Sequence, residues 1–231
     1  MQIKNKLLLS IFVVLATLLL STTSFAHGVD ENTKQFIANH PGAAIFPFLY
    51  IGAKHMVTGY DHLLFLVGVI FFLYRPKDIL TYVSFFTIGH SLTLLFGVLN
   101  SISINPYLID AIIGFSIVYK GFDNLGGFKR IFNVQPNTKL AVLIFGLFHG
   151  FGLAAKLQEF DFPKDGLLPN LLAFNVGVEI GQIMALGIIL ILIGFWRHSQ
   201  SFLKWSVATN TVLISAGFML IIYQMTGYFT A

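Results

Sequence analysis

The sequence contains no cysteine among its 231 residues. Disulfide bonds, thiolate metal sites and cysteine nucleophiles are therefore excluded. Charged residues are also scarce, because Asp, Glu, Lys and Arg make up only 10% of the chain, whereas soluble domains carry about 25%. The sequence has no basic cluster and no alternation of basic and aromatic residues, which argues against a nucleic-acid partner. Any metal ligands must be nitrogen or oxygen donors, with methionine as a weak alternative.

Long apolar stretches take the place of the missing charge. Hydrophobic residues account for 56% of the chain, and 25 of them are Phe. Six stretches approach the ~20 residues that a helix needs to cross a bilayer. The sequence therefore predicts an all-α polytopic membrane protein with the lipid bilayer as its surroundings. The six predicted transmembrane helices are residues 47–74, 79–99, 106–124, 138–157, 169–196 and 205–227.

The N-terminus has the three-part pattern of a secretory signal peptide. Lys4 and Lys6 precede an apolar run shorter than a membrane span, and the small-residue sequence STTSFA then ends at Ala26. We expect cleavage after Ala26, although an uncleaved first membrane helix is the alternative. The predicted organisation is a signal peptide at 1–26, an external N-terminal segment at 27–46 and a six-helix transmembrane domain at 47–231.

The basic residues are distributed unevenly between the two predicted sides of the membrane. With an external mature N-terminus, the inner side holds Arg75, Lys77, Lys120, Lys129, Arg130, Lys139, Arg197 and Lys204. The outer side holds Lys34, Lys54, Lys156 and Lys164. This excess obeys the positive-inside rule and agrees with the signal peptide. It predicts that both the mature N-terminus and the C-terminus lie outside.

Several ionisable residues lie inside the predicted spans at a common depth. His62, His90, His149 and Glu179 come from four different spans, and all fall within about one helical turn of one plane. Because charges that face lipid are unfavourable, we expect these groups to point into the bundle and meet. Together with Asp61 they offer nitrogen and oxygen ligands for a divalent transition metal. His55 lies seven residues before His62, so on a straight helix it is an outer station on a path to this layer, unless Gly59 permits a kink.

Two glycine patterns and four polar residues surround these candidates. The sequences GLFHG and GVEIG are GxxxG patterns, which allow helices to approach closely and predict that the fourth and fifth spans pack together. Their glycines are Gly146, Gly150, Gly177 and Gly181. The polar residues predicted to orient the metal ligands or replace shed water are Thr87, Ser91, Asn175 and Gln182.

The same residues carry a family resemblance. HMVTGYDHLLFL resembles the H-x5-D-H-L-L signature of the HupE/UreJ family of bacterial membrane proteins, and the chain is most similar to its second, broader branch. FFTIGHSLTL, SIVYKGFDNL, FGLFHGFGLA and FNVGVEIGQ resemble later motifs of that family, in the same order. The resemblance implies a bacterial inner-membrane protein linked to nickel or cobalt and to hydrogenase and urease accessory functions. His55, Asp61 and His62 would be its signature metal-handling residues, and His90, His149 and Glu179 its later motif residues.

Three functions fit these patterns. The first is a permease for a divalent transition metal, nickel or cobalt above all, with zinc as a further candidate ion. The second is an intramembrane metal-dependent hydrolase, since three histidines and an acid also describe a catalytic zinc site. The third is a non-transporting accessory protein that delivers metal to metalloenzyme maturation machinery. The permease is preferred over the enzyme.

Overall fold

The computed structural model describes residues 42–158 and 166–230. Within these ranges the chain is helical, with short connections and no strand, so the predicted all-α class is confirmed there. The predicted signal peptide and residues 27–41 of the external segment lie outside the described residues. The helices are α1 Ile45–Thr58, α2 Tyr60–Ile70, α3 Pro76–Leu99, α4 Pro106–Asn124, α5 Gly127–Phe132, α6 Thr138–Gln158, α7 Leu167–Arg197 and α8 Ser201–Thr230.

Four of these helices, α3, α6, α7 and α8, are long and apolar enough to cross a membrane. They match four of the predicted spans, and α4 matches a fifth in position. Pro106 begins α4 after Asn105, whose side chain accepts hydrogen bonds from the next backbone amides and caps the helix. The connection between α4 and α6 contains the short helix α5.

The first predicted span is not one continuous helix. Gly59 has an extended backbone conformation, with φ −74° and ψ 100°, and it separates α1 from α2. The side chain of Asp61 accepts a hydrogen bond from the His62 amide, which gives that backbone donor a partner in the first turn of α2. The uninterrupted helix predicted over 47–74 is therefore wrong, and the broken segment ends at Ile70.

The helices associate in three close pairs, α1 with α7, α3 with α6 and α4 with α8. Glycines allow each close approach: Gly177 lies against the backbone of Leu49, and Gly146 lies against the backbone of Phe86. The successive contacts show that α1 and α7 run parallel, as do α3 and α6, whereas α4 and α8 run antiparallel. The predicted packing of the two GxxxG patterns against each other is wrong, because each of them faces a different helix.

We expect Gly177→Ala to destabilise the fold, because the added methyl group would collide with the backbone carbonyl of Leu49. Overpacking of this kind costs about 1–3 kcal/mol. Gly187 is the matched control on the same helix, since a methyl group there meets nothing within 4 Å. Thermal unfolding of the purified protein in detergent should show a lower midpoint for Gly177→Ala and an undiminished midpoint for Gly187→Ala. Equal midpoints in both variants would contradict this packing.

Candidate metal site

Four histidine rings lie together in a group, the histidine cluster, made up of His55, His62, His90 and His149. His62 is central, because its ring centroid lies 4.9 Å from that of His149, 5.2 Å from that of His55 and 6.1 Å from that of His90. His62, His90 and His149 are 4%, 1% and 1% exposed. The predicted convergence of three imidazoles from three spans is therefore found in the structure.

Asp61 holds the imidazole of His62 in one orientation. Its carboxylate oxygen Oδ1 lies 2.9 Å from Nδ1 of His62 and also accepts the His62 backbone amide. With Asp61 ionised, Nδ1 of His62 carries the proton and donates a hydrogen bond to the carboxylate, so Nε2 keeps its lone pair. Among the residues that the structure describes, Nε2 of His62 is buried and has no hydrogen-bond partner. A histidine that donates one ring N–H to a carboxylate and offers the other nitrogen is typical of metal sites.

His149 shows the same pattern with a backbone acceptor. Its Nδ1 lies 2.7 Å from the carbonyl oxygen of Phe145, one turn earlier in α6. In the described ranges, no hydrogen-bond partner reaches the buried Nε2 of His149 or either ring nitrogen of His90. Buried polar groups are nearly always hydrogen-bonded. A cluster of imidazoles with so many open nitrogens indicates a place for a ligand that accepts electron pairs, such as a metal cation.

The break at Gly59 brings His55 into the cluster. On a straight helix His55 and His62 would lie about 10 Å apart along the axis. In the broken segment their ring centroids lie 5.2 Å apart. His55 therefore contacts His62 directly, through the break at Gly59 that the sequence offered as the alternative to a straight helix. A side chain at Gly59 would contact Nδ1 of His62 at 2.9 Å and Oδ1 of Asp61 at 3.2 Å. Glycine is needed here for close approach to the Asp61–His62 pair.

The structure separates the polar residues predicted on α7. Gln182 is fully buried and accepts a hydrogen bond of 3.0 Å from Thr87 on α3. Asn175 is also buried and donates to the carbonyl of Leu171 within its own helix. Glu179, in contrast, is exposed on α7 and is not gathered into the buried cluster. The prediction that Glu179 and His149 are neighbours rested on packing between α6 and α7, which the structure replaces with the pairs described above.

Ser91, the fourth predicted polar residue, is half-buried on α3. A different residue links α3 to α6 beside the cluster: Thr93 donates to the carbonyl of Leu147 at 2.6 Å. Thr93 is 6% exposed and also lies against Gly150 of the GLFHG pattern. It fixes the two helices that supply His90 and His149. Thr93 could not be singled out from the sequence, because a threonine in an apolar helix usually bonds only within its own helix.

Two buried ion pairs occupy the acidic residues of α4. Lys156 on α6 binds both carboxylate oxygens of Asp110 at 2.9–3.0 Å. Lys120 binds Asp123 at 2.6 Å, and Asp123 also accepts a hydrogen bond from Gln135. These carboxylates are neutralised by lysines rather than directed at the imidazoles. Asp61 is accordingly the acidic residue that the described structure places in contact with the histidine cluster.

The imidazoles are close together but are not arranged as a finished metal shell. In residues 42–158 and 166–230, no three His, Asp or Glu side chains hold their donor atoms around one point. Nitrogen ligands of zinc lie about 2.0–2.1 Å from the ion, whereas the rings here meet edge to face at centroid distances of 4.9–6.1 Å. Side-chain rotation would be needed to direct several nitrogens at one cation.

Comparison with known proteins identifies the chain. No curated protein and no solved structure matches it. A family model described as HupE / UreJ protein matches residues 31–231, which include all the helices α1 to α8 described above and every residue of the histidine cluster. That family is linked to the uptake or delivery of nickel and cobalt. The chain belongs to the HupE/UreJ family.

Proposed function

We propose that the chain is a membrane permease for a divalent transition metal, with nickel and cobalt as the expected cargo. The observation that carries the proposal is a set of buried imidazole nitrogens that no other described residue hydrogen-bonds. His62 and His149 each have Nδ1 engaged by an oxygen and Nε2 open. A cation would enter between the rings, and Asp61 would offset part of its charge through His62. Family membership supports the same class of cargo.

The break between α1 and α2 supports transport. Discontinuous helices mark the ion and substrate sites of many transporters, because the break exposes backbone groups and helix ends to the cargo. The C-terminal end of α1 carries the negative end of its helix dipole, and it lies where His55 approaches His62. The positive end of α2 is offset by Asp61 in its first turn. The break therefore presents a cation with a favourable field.

The directions of the helix pairs support six alternating crossings. Six alternating crossings would be made, in order, by α1–α2, α3, α4, α6, α7 and α8. In that arrangement α1 runs parallel to α7, α3 runs parallel to α6, and α4 runs antiparallel to α8. The structure has these relations in its three pairs. We propose a bacterial inner-membrane location with both ends of the mature chain outside, as the basic residues predict.

Transport is preferred to the other two functions on the geometry of the cluster. A catalytic zinc ion needs three protein ligands held in place and an open position for water. The described residues do not hold three ligands in that way, whereas a transport site must bind and release its ion as side chains move. Delivery of the metal to maturation machinery would use the same residues, and it differs by the absence of flux through the purified protein.

Uptake by reconstituted liposomes tests the proposal. Purified protein is inserted into liposomes that contain a metal-sensitive dye, and Ni²⁺, Co²⁺, Zn²⁺ or Mg²⁺ is added outside. Imidazole ligands favour the first three over Mg²⁺, which prefers oxygen ligands. We expect dye quenching by Ni²⁺ and Co²⁺ above that of empty liposomes, and no response to Mg²⁺. Flux equal to that of empty liposomes for every metal would contradict the permease.

A further inference from the structure

Three phenylalanines lie on one side of the histidine cluster, each about one helical turn from a histidine. Phe65 follows His62 by three residues in α2, Phe86 precedes His90 by four in α3, and Phe145 precedes His149 by four in α6. We call Phe65, Phe86 and Phe145 the phenylalanine layer.

The helix directions place all three phenylalanines on the same side. The end of α2 and the beginning of α3 are joined by residues 71–75, so they lie at one end of the bundle. Because α6 runs parallel to α3, its beginning lies at that end too. A residue after His62, one before His90 and one before His149 are therefore all displaced toward this end, which carries the basic connections predicted to face the cytoplasm.

Phe65 packs against both other members of the phenylalanine layer, and Phe65 and Phe86 also touch the histidines. The Phe65 ring centroid lies 5.4 Å from that of Phe86 and 5.9 Å from that of Phe145. Phe86 also lies 5.0 Å from His149 and 6.1 Å from His90. Phe65 and Phe86 are each 1% exposed. The three side chains of this layer are apolar, whereas His62, His90 and His149 carry buried ring nitrogens that no other described residue hydrogen-bonds.

We propose that the phenylalanine layer is the inner gate of the permease, a hydrophobic constriction that closes the histidine cluster from the cytoplasmic side. The inference rests on the proposed function. Narrow apolar constrictions block ions because water leaves them, and the phenyl groups of Phe65, Phe86 and Phe145 offer a hydrated cation no oxygen or nitrogen ligand. The ion would therefore pass from the imidazoles to the inner side only when these rings separate.

The same packing would arise in a merely structural aromatic core, so the test must read access rather than stability. The chain has no cysteine, which allows a single introduced thiol to report on access without background. His90→Cys places that thiol in the histidine cluster, and Asn133→Cys places one on an exposed residue between α5 and α6. The probe is a methanethiosulfonate reagent that carries a quaternary ammonium group and does not cross membranes.

Membrane vesicles are chosen in which Asn133→Cys reacts with the added probe, so that the side under test is defined by experiment. With all three phenylalanines present, His90→Cys should react slowly from that side. Adding Phe86→Ala should accelerate the reaction at least about tenfold, since truncation opens the constriction. Should Phe86→Ala not fold, the smaller truncation Phe86→Leu should accelerate it about threefold.

Phe71→Ala is the matched control. Phe71 is also 1% exposed, but it stacks on Phe202 at 5.2 Å near the end of α2, away from the histidines. It should leave the reaction of His90→Cys slow. The gate is overturned if His90→Cys reacts as fast as Asn133→Cys with the layer intact, or if truncation of Phe86 changes nothing. Because this readout needs no metal, its failure is separate from the absence of metal flux in liposomes.

Discussion

Replacement of His62 by alanine is expected to abolish metal accumulation. His62 is the ring that contacts the other three members of the histidine cluster, at 4.9–6.1 Å between centroids. Its removal deletes the central imidazole of the cluster and leaves Asp61 without the ring that it orients. Cells that express His62→Ala should accumulate no more Ni²⁺ or Co²⁺ than cells without the protein, measured by elemental analysis at equal membrane expression.

His198→Ala is the control for this experiment. His198 is an exposed histidine at the end of α7, and its Nδ1 lies 2.7 Å from the carbonyl of Gly194 in the preceding turn. Its loss removes an imidazole without touching the cluster, so accumulation should stay at the level of the unmodified protein. Normal accumulation by His62→Ala would show that the metal does not pass through the histidine cluster.

The second large effect is expected from Asp61→Asn, which keeps the size of the side chain and removes its charge. The amide cannot hold His62 with the same strength, because hydrogen bonds to an ionised acceptor are roughly twice as strong as neutral ones. Groups that orient a metal-binding histidine typically change metal affinity by about 10–100-fold when mutated. We expect a loss of that size in the affinity of purified protein for Ni²⁺, measured by calorimetric titration.

Asp78→Asn provides the comparison for this charge removal. Asp78 lies in the first turn of α3, twelve residues before His90, and it has no role in the cluster. The Asp78→Asn protein should bind Ni²⁺ with the same affinity as the unmodified protein. If Asp61→Asn also binds Ni²⁺ with unchanged affinity, then Asp61 does not tune His62 and the electrostatic part of the account is wrong.

The meeting of the histidines could be predicted from sequence because the membrane restricts where ionisable groups can point. His62, His90 and His149 interrupt apolar runs at similar depth, and a polar group in such a run must turn toward the bundle interior. Depth in the membrane therefore predicts that these side chains converge, without knowledge of helix pairing. The prediction failed for Glu179, which is exposed, because depth alone does not specify the face of the helix on which a residue lies.

Other features of the site depended on information that the sequence does not carry locally. A GxxxG pattern shows that a helix can be approached closely, but it does not name the approaching helix. In the sequence, Gly59 cannot be told apart from the many other glycines of membrane helices. Only its extended backbone in the structure shows that the helix breaks there. The phenylalanine layer was not predicted, because the chain has 25 Phe. The three that pack together can be recognised only when the contacts between helices are known.

The most direct test is X-ray absorption spectroscopy of the purified protein loaded with Ni²⁺. We expect a spectrum with the multiple scattering of imidazole rings, which reports histidine nitrogen bound to the metal. We also expect this signal to be lost or strongly reduced in His62→Ala and retained in His198→Ala. A spectrum of oxygen ligands alone, identical in all three proteins, would show that the buried imidazoles do not bind the cation.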